Sequence, residues 1–223
     1  LRAVTGVQTC ALPIFQLDGK LVEDIRPGLK LSQFHTLAKG SVLATELGLA
    51  EVMMSPGLIL RVGENTELAM VDPARGEAVV ELTKGAIAIE AAELKDGGLA
   101  IRHDGAVFTI RKPGAYWLGG NPVEARVYDG QADLSRDGFK RVLKRGQALQ
   151  MASKGELRKM DVATTNALMR WSRQRGQYLG LASAASAWSI YDARVAWRQS
   201  GWFYNAYFGM YGFVPYRGSY CGW

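Results

Sequence analysis

The stretch VEARVYDGQADL, Val123 to Leu134, decides the fold class. Val123, Ala125 and Val127 alternate with Glu124 and Arg126, the period of two that turns one face of a β-strand toward a core and the other toward water. Asp129 and Gly130 interrupt the pattern, and Ala132 and Leu134 resume it. Glycine accepts positive φ without steric cost, and aspartate ahead of it tolerates the left-handed region. Asp-Gly between two alternating runs is therefore expected to be a type I′ hairpin with Val127 and Ala132 in register.

The same grammar extends outward from Ser41 to Met151. Short apolar runs are cut about every ten residues by Ser55-Pro56-Gly57, Gly63-Glu64-Asn65, Asp96-Gly97-Gly98, Asp104-Gly105 and Asp137-Gly138. Ile87 and Ile89, and Phe108 and Ile110, are expected to face the core. The more uniformly apolar segment around Val52, Met53, Met54, Leu58, Ile59, Leu60 and Val62 reads as central strands covered on both sides. The expected fold is mainly β, a β-sandwich or β-roll/solenoid of short antiparallel strands, followed by one amphipathic helix and an aromatic-rich tail.

The period changes after Gly155. With Asp161 as N-cap, Leu168, Trp171, Arg175, Tyr178 and Leu179 recur at three- and four-residue steps, which predicts a helix over 160–186. Gly176 and Gly180 and the β-branched Val162, Thr164 and Thr165 lower its intrinsic propensity, so docking on the β domain through Leu168, Trp171, Tyr178 and Leu179 is expected to hold it. The tail, 187–223, contains 13 of the 22 aromatic residues, interleaved with glycine. It reads as material that packs or binds, and Trp197, Trp202, Tyr204, Tyr207 and Tyr211 are its candidate binding surface.

The two ends are read separately. Val4 to Ile14, VTGVQTCALPI, resembles the conceptual translation of a sequencing-library adapter, so residues 1–15 are expected to be artefact. Any signal peptide or anchor would precede native sequence that begins near Phe15 or Gln16, and the native chain is expected to continue past Trp223. Without Cys10 only Cys221 remains, too few cysteines for an internal disulfide or a cysteine metal site.

Hydrophobic and charged shares of 48% and 22% are those of a folding globular chain. The net charge of +6 reads as a modest excess spread over most of the chain, suited to anionic envelope polymers and too diffuse for nucleic acid. Lys140, Arg141, Lys144 and Arg145, preceded by Asp133 and Asp137, read as a solvated hairpin face. His35 and His103 lack ligand spacing, and no nucleophile elbow, phosphate loop or dinucleotide pattern occurs. Glu90 with Glu93, and Asp133 with Asp137, are carboxylate pairs that read as exposed strand or turn charges. The chain is expected to be no enzyme and to use no cofactor or metal.

Three segments resemble the FecR domain: GSVLATELGLAEVMMSPGLILRVGENTELAM (Gly40–Met70), ELTKGAIAIE (Glu81–Glu90), and ARVYDGQADL with LKRGQAL (within Ala125–Leu149). The matching positions are Gly40, Thr45, Gly48, Gly63, Asn65, Gly85, Gly130 and Gly146, and the resemblance covers about residues 16–152. It implies an extracytoplasmic β domain, periplasmic or extracellular, that works as a non-catalytic interaction module with another envelope protein as partner. The best understood members relay transporter occupancy at the outer membrane to a sigma factor. Gly40, Gly63, Gly85, Gly130 and Gly146 carry over as structural turns, and no binding residue does. A glycan or peptidoglycan bound by the tail is the alternative partner.

Overall fold

The computed structural model describes residues 14–19, 22–24, 29–30, 34–55, 57–73, 76–94, 97–151, 155–192 and 201–214. Two compact units divide them, one ending at Arg170 and the other beginning at Trp171.

The first unit is mainly β, as its alternation predicts, and is wound from two sheets. The chain opens with β1 (Ile14–Gly19), β2 (Val22–Asp24), β3 (Leu29–Lys30), β4 (Phe34–Thr36) and β5 (Val42–Thr45). Next come β6 (Gly48–Ser55) and β7 (Leu58–Val62), β8 (Glu67–Asp72) and β9 (Gly76–Lys84), then the single β10 (Ala86–Ala91). Three pairs follow: β11 (Gly97–His103) with β12 (Ala106–Ile110), β13 (Gly114–Gly119) with β14 (Glu124–Asp129), and β15 (Gln131–Arg136) with β16 (Phe139–Lys144). Finally β17 (Gln147–Gln150) pairs with β18 (Glu156–Lys159).

The first sheet has the order β18-β17-β14-β13-β10-β7-β6-β1-β4, and the second β16-β15-β12-β11-β9-β8-β5-β2-β3. From β5 onward the chain lays one strand or one hairpin in a sheet, crosses to the other, and returns one step further along. The ladders are antiparallel except where β11 joins β9 in parallel. That exception follows from β10, which enters the first sheet alone, so the chain returns to the second sheet in its former direction.

The core lies between the sheets. Ile87, Ile89, Phe108, Ile110, Val123, Ala125 and Val127 all join one buried cluster with Leu43, Leu60, Leu68, Met70, Leu99 and Leu134. Every residue of β7 is buried, as expected of a strand covered on both sides. One member of that strand is Arg61.

Of the Asp-Gly pairs, Asp104-Gly105 and Asp137-Gly138 close two-residue hairpins, with His103 opposite Ala106 and Arg136 opposite Phe139. Both residues of each pair have positive φ (47° and 73°, 48° and 80°), the type I′ signature. Asp129-Gly130 corrects the sequence reading. β14 pairs with β13 and β17, and β15 with β12 and β16, so Val127 and Ala132 are not partners and the turn carries the chain from one sheet to the other. Only Gly130 has positive φ there (86°).

Two boundaries also move. The β unit continues past residue 152 into β18, whose four residues are all exposed on a sheet edge and so left no apolar alternation to read. The helix α1 runs Ala167–Asp192. Its cap is Asn166, whose Oδ1 accepts the Met169 N–H at 2.8 Å, whereas Asp161 closes a separate turn by accepting the Ala163 N–H at 2.9 Å. The first strand begins at Ile14, opposite Met53.

Candidate functional site

The residues that carry the FecR resemblance converge on the crossings between sheets. Gly40 precedes β5, Gly63 leads from β7 to β8, Gly85 from β9 to β10, Gly130 from β14 to β15 and Gly146 from β16 to β17. Three neighbouring crossings are tied by two threonines. Thr45 Oγ1 donates to the Gly63 carbonyl (2.5 Å) and accepts the Thr66 N–H (3.0 Å). Thr66 Oγ1 donates to the Glu64 carbonyl (2.9 Å) and accepts the Ala86 N–H (3.1 Å). Asn65, between them, is left-handed at φ 50°. Gly85 (φ 90°) lies so close to Thr66 that a Cβ would overlap it. These are structural positions, and the two threonines satisfy backbone groups at the corner.

Gly130 is packed against Tyr116, where a Cβ would collide with the phenolic oxygen and the Pro113 carbonyl. Tyr116 Oη donates to the Lys112 carbonyl (2.5 Å) and accepts the Gln131 N–H (3.0 Å). Burial pushes this hydroxyl up to about 12; Asp129 adds to the rise and the Gln131 hydrogen bond opposes it.

Charges that looked incidental in sequence are paired. Arg61 and Glu51 are both fully buried, Nε to Oε2 at 2.7 Å, and Arg61 Nη1 reaches Glu90 Oε2 at 2.6 Å. Glu90 thus serves a cross-strand cation. Asp133 pairs with Arg111 (3.2 Å) and Lys140 (3.4 Å). Buried His103 places Nδ1 2.6 Å from the Leu82 carbonyl in the second sheet and Nε2 3.0 Å from the Gly120 carbonyl at the β13–β14 turn of the first. Both ring nitrogens face backbone carbonyls, one from each sheet, and a nitrogen that carries a proton donates to the carbonyl it faces. Among the described residues no three His, Cys, Asp or Glu side chains are placed to hold a metal. The side chain of His35 and both cysteines lie outside what is described.

Of the helix residues expected to dock, Leu168 is buried, and a Cβ added at Gly63 would stand 3.3 Å from its Cδ2. Trp171 and Leu179 are half-buried, and Tyr178 is exposed. At about 100° per residue the buried row of α1 passes through Leu168, Ser172, Ala182 and Ser186, which places Tyr178 to one side of it.

In the second unit that row meets a hairpin, β19 (Gly201–Asn205) and β20 (Met210–Val214). Its inner face, with Phe203, Met210 and Val214 buried, lies on the helix. Gly212 has no room for a Cβ against Ser183, the Phe213 N–H donates to Ser183 Oγ (3.0 Å), and Asn205 Nδ2 to Ser186 Oγ (3.2 Å). The small side chains of Ala182, Ser183 and Ser186 therefore let the hairpin approach. The outer face carries two cross-strand aromatic pairs, Trp202 with Phe213 (5.4 Å between ring centres) and Tyr204 with Tyr211 (5.5 Å). Strand alternation thus brings together Trp202, Tyr204 and Tyr211 and adds Phe213, absent from the sequence-derived set although its alternation with Tyr211 could have found it. Tyr207 projects from the loop, stacked edge-to-face on Phe208. Trp197 lies outside the described residues.

The charge also proves less even than the sequence reading held. Residues 162–223 contain six arginines, no lysine and one acid, Asp192, so five of the six net positive charges belong to the helix and tail.

No family model and no curated protein matches this sequence. Two crystal structures of a "putative anti-sigma factor" from Parabacteroides distasonis ATCC 8503 are similar in fold, at 10% and 11% identity. Both have a TM-score of 0.47; they cover 53% and 54% of this chain and 59% and 60% of their own. The chain therefore spans about three fifths of those proteins, and a likeness of this size carries no argument about activity or partners.

Proposed function

We propose that this chain is a non-catalytic interaction module of FecR type, working in the periplasm or outside the cell as a sensing or scaffolding element of the bacterial envelope, with another envelope protein as its partner. The observation that supports the reading is the threonine-tied corner. Thr45, Gly63, Asn65 and Gly85, four of the eight positions on which the resemblance rests, meet in the stitching of successive crossings at Thr45 and Thr66. A scaffold wound this way offers rigid turns and sheet edges to a partner. The test is site-specific photo-cross-linking from Thr83, on the exposed side of β9, in a periplasm-targeted copy. A discrete adduct with one envelope protein, lost in the misfolded Gly85→Val variant, supports the proposal; no adduct, or the same adducts from both, refutes it.

A second reading is favoured by the outer face of the hairpin. Four aromatic rings in two adjacent pairs form a surface of the kind that stacks on sugar rings, and glycan binding there predicts retention on insoluble peptidoglycan. Trp202→Ala with Tyr211→Ala should abolish that retention while the cross-link from Thr83 persists.

A further inference from the structure

A second aromatic surface lies on α1, away from the hairpin. Tyr178, Leu181, Trp188 and Tyr191 are 43%, 56%, 72% and 59% exposed. At about 100° per residue they share an arc of roughly 140° that starts beside the Ala182–Ser186 row at Tyr178 and reaches the opposite side of the helix at Tyr191. Trp188 and Tyr191 stack edge-to-face at 6.2 Å. The stripe covers about 20 Å of helix, at about 1.5 Å per residue. Exposed Arg170 and Arg173 continue the same arc one to two turns earlier, and Ala184 and Ala185 fill it between the large side chains. Folding usually hides such residues; large apolar side chains grouped on one exposed face mark an interaction surface.

The chemistry of the stripe selects its partner. From Val162 to Tyr191 there is no acidic residue, and Asp192, exposed on the same arc one turn past Trp188, is the single carboxylate of the helix against Arg170, Arg173 and Arg175. Trp and Tyr, each with an apolar body and a polar tip, are the side chains that settle at a membrane–water boundary, and arginine beside them is drawn to anionic headgroups. The helix is not long and apolar enough to cross a membrane. We infer that the Tyr178–Leu181–Trp188–Tyr191 face of α1 docks flat on an anionic phospholipid surface, so that the protein carries a peripheral membrane contact distinct from the aromatic hairpin.

The experiment is co-sedimentation of the full chain with vesicles of phosphatidylcholine alone and of phosphatidylcholine mixed with phosphatidylglycerol. Binding to the mixed vesicles should be at least about tenfold tighter than to the neutral ones and should weaken as salt rises from about 50 to about 500 mM. Leu181→Ser with Trp188→Ser should lose at least about tenfold in affinity without a change in melting temperature, because both side chains are exposed. Tyr204→Ala with Tyr211→Ala should bind vesicles as the parent does. Equal affinity for neutral vesicles, no binding to either, an unaffected Leu181/Trp188 variant, or capture by peptidoglycan or an oligonucleotide in place of the mixed vesicles would overturn the inference.

Discussion

Replacing Arg61 by methionine tests how the first sheet tolerates a charge on a strand buried throughout. Arg61 has no exposed surface, and its 2.7 Å partner Glu51 has none either. Methionine approximates the volume of the arginine stem but removes the cation, leaving the Glu51 carboxylate enclosed and deprived of that bond. Breaking a buried pair from one side costs about 3–5 kcal/mol. At roughly 2–4 °C per kcal/mol for a unit of this size, the melting temperature should fall by about 6–20 °C. Removing both charges, Glu51→Leu with Arg61→Met, should recover most of the loss, because apolar replacement of a whole buried pair is often neutral. Urea unfolding of parent, both single variants and the double variant gives the coupling energy, expected to be at least about 2 kcal/mol. The reasoning fails if Arg61→Met costs less than about 1 kcal/mol, or if the double variant is as unstable as the sum of its singles.

Gly130→Val should destabilise by more than the strain of a positive φ alone, at least about 2 kcal/mol in denaturant unfolding, since its side chain enters space held by Tyr116. Tyr116→Phe should cost about 1–3 kcal/mol at neutral pH by leaving the half-buried Gln131 N–H without its acceptor. The folded state holds the Tyr116 phenol above the ordinary value of 10, at about 12, so its neutral form is favoured by folding. That contribution is complete below about pH 10 and lost as pH rises toward 12, and the difference in stability between parent and Tyr116→Phe should shrink over that window. Gly180→Ala should raise the melting temperature of the helix–hairpin unit, worth up to about 1 kcal/mol, because Gly180 is helical and a Cβ there meets nothing within 4 Å.

Much of the architecture was legible because it is written in short-range patterns. Alternation in Val123–Val127, Ile87–Ile89 and Phe108–Ile110 identified inward residues correctly, since a strand has only two faces and one of them must avoid water. Asp104-Gly105 and Asp137-Gly138 were readable as hairpins because the turn needs positive φ twice and supplies residues that adopt it. The aromatic platform was half legible: Trp202, Tyr204 and Tyr211 stood out by composition, but their shared face depends on the register of β19 with β20.

Other features were decided at longer range. Asp129-Gly130 has the same dipeptide as the true hairpins, yet it crosses between sheets because β14 and β15 find their partners in β13, β17, β12 and β16. The apolar run around Arg61 reads as a covered strand, but the carboxylates that pair with the cation are distant in the chain, Glu51 ten residues away and Glu90 twenty-nine. The start of α1 went to Asn166 and not Asp161, a choice between two competent caps made by which following residues continue as helix. The sequence by itself determined the strand periodicity, the turn chemistry, the helical segment and the concentration of arginine and aromatics after Asp161, because each is set by the conformational preference or charge of residues close in the chain. Tertiary structure alone decided which turns are corners, which charges are buried in pairs, and which aromatics of α1 stay exposed, because those depend on surfaces that distant segments bring together.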